Sequence, residues 1–229
     1  MLELSLVQKI SIWVVPVLLG ITVHEVMHGF VARKLGDNTA FMLGRLTLNP
    51  LKHVDPVGTI LIPGLLVLLQ AGFLFGYAKP VPINWRNLRH PKRDMALVAA
   101  AGPISNLFMA IAWALLIRLG VLLGEPGMPL IYMGVAGFTI IILLVVLNLL
   151  PLPPLDGGRV MTGLLPGPLA YKFSRIEPYG FFILIGLLVT GILGLVLWPV
   201  ISAVMSMVVP VSGLSAQKFQ ILLMALMGR

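Results

Sequence analysis

Long runs without a formal charge constrain this chain more than any other feature. Residues 10–23 carry none, and the apolar pattern resumes through Phe30 and Val31. One helix over about 10–32 can therefore cross a bilayer. Asp55 and Lys79 bracket a second run, a third extends from Met95 to Ile117, a fourth from Pro126 to Leu155, and the last lies between Glu177 and Lys218. Each reaches the ~20 residues that a helix needs to traverse the hydrocarbon layer. Composition agrees: 59% of the 229 residues are hydrophobic and 10% charged, where ordinary globular chains hold ~25% charged residues. A soluble core of this size has no room for so much apolar surface. The expectation is an all-α polytopic membrane protein with about five to six membrane segments.

The balance of 16 basic against 8 acidic side chains, a net charge of +8, does not point to nucleic acid in so oily a chain. It marks loops that face an anionic cytoplasmic leaflet. Basic residues gather at Arg33, Lys34, Arg45 and Lys52, then at Lys79, Arg86, Arg89, Lys92 and Arg93, then at Arg159, Lys172 and Arg175, and last at Lys218 and Arg229. If 56–78 crossed fully, the first two clusters would lie on opposite faces, against the positive-inside tendency. A re-entrant hairpin over 56–78, bending at Pro63-Gly64 or at Gly72 and Gly76, keeps both inside. Both readings stand at this stage. The chain reads as a single integral membrane domain over 1–229, multi-pass in the cell membrane, with C-terminal membrane helices over 179–217. Zero cysteines exclude disulfides, thiolate metal sites and cysteine nucleophiles.

The inner end of the first helix carries His24-Glu25-Val26-Met27-His28, the H-E-x-x-H pattern. Four residues at ~3.6 per turn bring both imidazoles onto one face, so that both can bind one cation. Neutral imidazole suits zinc, and a catalytic zinc takes a third protein ligand and one open position for water. Glu25, beside the first ligand, is placed to take a proton from that water. A short pattern of this kind also arises by chance in helices. Within a membrane span, however, each ionisable group costs ~2.5–3.5 kcal/mol on insertion scales, and three in so short a segment are hard to explain as packing.

Asp156 is the leading candidate for the third ligand. It ends the fourth apolar run in Asn148-Leu149-Leu150-Pro151-Leu152-Pro153-Pro154-Leu155-Asp156-Gly157-Gly158-Arg159. The prolines forbid a regular helix and free carbonyls around the aspartate, while the glycines permit tight backbone beside it. The plainer reading is a helix exit with a solvated aspartate. Asp55 and Glu177 also border spans, without such a device. Depth is consistent with Asp156: His24 lies ~13 Å of helix from Arg33 at ~1.5 Å per residue. A fourth span that returns inward brings Asp156 to that same side, so the site should lie nearer the cytoplasmic face.

These residues resemble the site-2 proteases, intramembrane zinc metalloproteases. The resemblance rests on His24-Glu25-x-x-His28, on the Asn148…Pro-x-Pro-Pro-Leu-Asp156-Gly157 block, and on Ala101-Gly102-Pro103-Ile104-Ser105-Asn106 at the start of an intervening helix. It covers roughly residues 10–160, a metalloprotease core with helices over about 10–32, 94–118 and 129–150. It implies that His24, His28 and Asp156 hold one zinc ion per chain, that Glu25 is the catalytic acid/base, and that Asn148 supports the substrate or the transition state. Asn148 has a second reading, as a helix-to-helix hydrogen-bonding residue. Residues 44–56 and 76–84 are similar to segments of a compact prokaryotic branch. No several-strand module of the PDZ or nucleotide-binding kind is evident.

The expected function is intramembrane proteolysis of transmembrane-helix protein substrates within the lipid bilayer. A substrate helix must open before attack, because its carbonyls are tied up in backbone bonds. Residues 79–84 could receive the opened strand as a β-like edge on the cytoplasmic side: Pro80 and Pro82 strip donors from one edge, while Val81 and Ile83 keep theirs on the other. A proline-rich surface loop is the alternative. His53 reads as a hydrogen-bonded loop histidine and His90 as a solvated one, and Asn106 either bonds backbone freed by Pro103 or lines the site. Two other functions compete: a membrane metal-ion carrier and an inactive client-binding pseudoprotease. The first wants polar groups along a path to both faces, and the outer halves of the spans offer few. The second has no use for Glu25. Oligomeric state and substrate identity are not legible here.

Overall fold

The structure, a computed structural model, describes residues 4–69 and 76–227, and every regular element among them is helical. Helix α1 (Leu6–Lys34) opens on a capping box: the Ser5 hydroxyl accepts from Gln8 N–H, and the Gln8 side chain accepts from Ser5 N–H. Arg33 and Lys34 occupy its last turn, where the helix dipole favours cations. A short α2 (Thr39–Met42) and α3 (Ile62–Leu68) follow, the latter continuing a wider-wound segment, Pro56–Leu61, that Asp55 caps. Then come α4 (Pro91–Leu123), α5 (Met128–Asn148), α6 (Asp156–Leu164), α7 (Gly167–Ser174), α8 (Glu177–Val189), α9 (Ile192–Val208) and α10 (Ala216–Met227).

Four helical segments are long and apolar enough to cross a membrane, as fits a multi-pass membrane protein: Val7–Lys34, Pro91–Leu123, Glu125–Asn148 and Ile192–Ser212. Helix length thus supports four spans among the described residues, and the expected five to six membrane segments are not confirmed. Pro56–Leu66, Glu177–Val189 and Ala216–Met227 are apolar but shorter, and at ~1.5 Å per residue they do not reach across ~30 Å of hydrocarbon. The 179–217 stretch divides at Gly191, whose φ of 75° a helix cannot contain.

The bundle is organised around α5, with 61% of its span buried against 22% for α1. Val135, Ala136, Phe138, Ile141 and Ile142 form its inner face. Since lipid is as apolar as leucine, close packing rather than escape from water joins the helices. Small residues allow it. The ring of Trp113 on α4 lies against Gly137, and the side chain of Ile117 against Gly134. The outward face of α4 presents Leu107, Phe108, Ile111 and Leu115, which lipid can solvate.

Two loop features bear on the site. Tyr77 N–H donates to Gly58 O at 3.0 Å, and Thr59 Oγ1 to Tyr77 O at 2.8 Å, so the two ends of the 58–77 excursion lie side by side. The bend expected at Gly72 falls outside the described residues. The expected β-like edge is not seen: no strand occurs among the described residues, and 79–84 has no regular secondary structure. Side chains already bond three of the backbone groups that a ladder could use. The Arg45 guanidinium donates to Lys79 O at 3.0 Å and to Pro80 O at 3.3 Å, and Val81 N–H donates to Glu25 Oε2 at 2.6 Å.

Candidate metal centre

Helical periodicity stacks His24 and His28 one turn apart on α1, their ring centroids 4.6 Å apart and nearly perpendicular. Asp156 arrives from 132 residues further along the chain (156 − 24). Its Oδ2 lies 3.0 Å from His24 Nε2 and 3.3 Å from His28 Nε2, and the two Nε2 atoms are 3.0 Å apart. All three residues are buried. Of the expected carboxylates, only Asp156 joins the pair among the described residues. Asp55 instead caps the Pro56–Leu61 segment through Val57 and Gly58 N–H, and Glu177 Oε1 faces Arg159 at 3.6 Å.

The delivery of Asp156 follows from the chain around it. After α5 ends at Asn148, three prolines keep 149–155 out of helix, and the segment closes on itself through Leu152 N–H to Leu150 O (2.7 Å) and Leu155 N–H to Leu152 O (2.9 Å). It folds back so closely on the start of α6 that a Cβ on Gly157 would stand 2.3 Å from Leu149 O. Asp156 is thereby the first residue of α6, where the helix dipole favours an anion.

The donor set fits a zinc ion. Asp156 Oδ2 is buried and faces the two imidazole nitrogens, and a buried carboxylate is costly without a compensating positive charge. Two imidazole nitrogens converge on the same point. Two nitrogens and one carboxylate oxygen are the ligand set of a catalytic zinc that keeps an open position. His28 is already aimed: its Nδ1 bonds Val98 O at 2.7 Å, and since a carbonyl only accepts, Nδ1 carries the proton and Nε2 presents its lone pair. Asn106, fully buried on α4, places its amide 3.2 Å from His24 Nδ1.

Glu25 is half-buried, one residue from His24, and lines the same cavity of about 620 Å³ as both histidines, Asn148 and Asp156. Asn148 closes α5 with its Nδ2 donating back to Leu144 O at 2.9 Å. That bond uses one of the two amide hydrogens and leaves the other available. His53 sits elsewhere, bonded through Nε2 to Thr47 O at 2.9 Å, and His90 is an exposed residue at the start of α4.

Two contributors were not anticipated from sequence. Gly102 lets α4 lie against both rings, since a Cβ there would stand 2.5 Å from His28 Nε2 and 2.6 Å from His24 Cε1. The motif holding it is also placed differently from expectation: α4 begins at Pro91, so Ala101-to-Asn106 lies inside the helix. A glycine within an apolar helix is the usual sign of a close neighbour. The second is Asp37, fully buried just beyond α1. It accepts from Asn84 N–H (2.8 Å), Asn87 Nδ2 (3.0 Å), Thr39 N–H (3.1 Å) and the Thr39 hydroxyl. Burial pushes this carboxyl up, but the hydrogen bonds, that of the Thr39 hydroxyl foremost, outweigh it and hold the group below the usual carboxylate range. Asp37 so ties the end of α1 to the segment that leads back over Glu25. The Gly36-Asp37-Asn38-Thr39 cluster is a turn signal, but Asn84 and Asn87, which bond Asp37, lie more than forty residues away.

The chain is similar to proteins that bear the name "putative zinc metalloprotease". It is 42% identical to YwhC of Bacillus subtilis over 195 residues, 83% of this chain and 85% of that protein. It is 33% identical to Rip2 of Mycolicibacterium smegmatis over 175 residues, 76% of this chain and 64% of that one, and 31% identical to MJ0611 of Methanocaldococcus jannaschii over 144 residues, 62% and 64%. No protein-family model matches the chain, and no solved structure does.

Proposed function

Since this chain belongs to the same zinc metalloprotease family as YwhC, a site-2 protease-like family, we propose that it is an intramembrane zinc endopeptidase. It hydrolyses peptide bonds within or near transmembrane segments of other membrane proteins, as a step of regulated intramembrane proteolysis. The observation that carries the reading is the convergence of His24, His28 and Asp156 beside Glu25, toward the Arg33-Lys34 end of an apolar helix.

His24, His28 and Asp156 would hold one zinc ion per chain, which when bound would supply an acidified water and polarise the scissile carbonyl. Glu25 takes a proton from the attacking water as the C–O bond forms, and returns it to the amine nitrogen as the C–N bond breaks. The free amide hydrogen of Asn148 is on the cavity wall to meet the oxyanion, a contact that can be worth ~3–4 kcal/mol. His28 keeps its orientation through Val98 O.

The protein lies in the cell membrane with the site nearer the cytoplasm, a reading supported by Arg33 and Lys34 at the end of the helix that carries His24. The adjacency of residues 58–59 and 76–77 supports a re-entrant path for 56–78, because chain that leaves and returns to one place need not cross. Replacing Glu25 with Gln should abolish cleavage of a helical membrane substrate and leave zinc bound. Undiminished turnover would reject the mechanism. Zinc flux without any cleavage by the wild type would favour a carrier.

A further inference from the structure

We propose that Asn106 is a positioning residue for the metal centre: its amide oxygen accepts the Nδ1 proton of His24 and so turns the Nε2 lone pair toward the ion. The inference rests on the zinc reading above and concerns a residue outside the ligand set.

His24 and His28 are one turn apart, yet they are oriented by different means. His28 Nδ1 meets a backbone carbonyl, Val98 O, which can only accept, so its tautomer is settled by the fold. His24 Nδ1 meets no backbone carbonyl among the described residues. Its partner is the terminal amide of Asn106, at 3.2 Å. Asn106 is fully buried, and its Oδ1 has no hydrogen-bond partner. A buried amide oxygen without a donor is costly, and a donor stands next to it once the amide makes a half-turn.

That half-turn exchanges nitrogen and oxygen and gives the pair two arrangements. With NH₂ toward the ring, Nδ1 is bare, the ring proton sits on Nε2, and it faces Asp156 Oδ2. With the oxygen toward the ring, the proton sits on Nδ1 and Nε2 is a bare ligand atom beside that of His28. Only the second arrangement lets both histidines and Asp156 grip one cation. Gly102, one helical turn earlier on α4, keeps the two helices close enough for the amide to reach the ring. α4 therefore orients both ligands, His28 by the Val98 carbonyl and His24 by the Asn106 side chain.

The test measures zinc affinity of purified full-length protein in detergent by competition with a chelating dye, for the wild type and for Asn106→Leu, Asn106→Ala and Asn106→Asp. Thermal unfolding of each metal-free protein reports whether it is folded. Aspartate keeps the acceptor, whereas leucine and alanine remove it, and alanine adds no bulk should leucine fail to fold. The expected result is a 10- to 100-fold loss of affinity in the leucine and alanine variants, the usual effect of deleting a ligand's orienting partner, with affinity restored to near wild type by aspartate. A cobalt-substituted aspartate variant should keep the wild-type visible absorption bands. Wild-type affinity in a folded leucine or alanine variant overturns the inference while leaving the zinc reading intact, and so does an aspartate variant as weak as alanine. A wild type that binds no zinc overturns both.

Discussion

Glu25 and Val81 are 56 residues apart in sequence, and the Val81 N–H donates to Glu25 Oε2 at 2.6 Å. A segment flanked by Pro80 and Pro82 thus holds the carboxylate next to His24 by a single backbone donor. The bond spends one oxygen of the carboxylate on orientation and leaves the other for proton transfer.

Removal of that donor should slow the reaction without emptying the site. Val81→Pro deletes the N–H in a stretch already shaped by proline. A hydrogen bond to a charged group contributes about 1.5–3 kcal/mol, so kcat on a helical membrane substrate should fall about tenfold or more. Zinc affinity should be unchanged. A rise in kcat would mean that the segment obstructs Glu25 rather than positions it.

Gly102 should tolerate no side chain. A methyl group at 2.5 Å from His28 Nε2 and 2.6 Å from His24 Cε1 must displace one or both rings. Gly102→Ala is expected to lower zinc affinity by at least tenfold and to cost about 1–3 kcal/mol of stability, as overpacked cores do. Zinc titration and thermal unfolding check both. Wild-type zinc affinity would show that α4 lies further from α1 than the structure places it.

Acid should loosen the hinge at Asp37. The folded protein holds this carboxyl below its unfolded pKa of about 3.9, so the ionised form favours folding. That contribution is fully present above the unfolded pKa and is lost as pH falls toward the lowered folded value. Asp37→Asn should cost about 2–3 kcal/mol at pH 7, because an amide presents a donor where N–H groups already point. The variant should also lose less stability than the wild type between about pH 4 and pH 2. Denaturant unfolding in detergent at several pH values reads both, and parallel acid profiles would contradict the assignment.

The chemistry was legible in sequence because ionisable groups in an apolar run are expensive, and helical spacing then decides which of them share a face. His24, Glu25 and His28 follow from that alone, and the prolines after Asn148 mark a break in helix just before Asp156. Less was legible where distant side chains intervene. Alternating prolines at 80 and 82 suggested a strand edge, but Arg45 bonds the Lys79 and Pro80 carbonyls and Glu25 takes Val81 N–H, and no short sequence window contains all of these residues. The count of spans suffered similarly. Residues 179–217 allowed one long span or two shorter helices, and the backbone at Gly191 divides the stretch into α8 and α9. Asn106 could be placed near the site, but whether it serves the backbone or a ligand depends on where His24 Nδ1 points.

The account depends most on Asp156 sharing one metal ion with two histidines on another helix. Zinc content and affinity of purified wild type beside Asp156→Ala test this directly. One zinc per chain in the wild type, lost at the same free-zinc concentration in a variant that still unfolds cooperatively, is the predicted result. Equimolar zinc held with wild-type affinity by Asp156→Ala would contradict it.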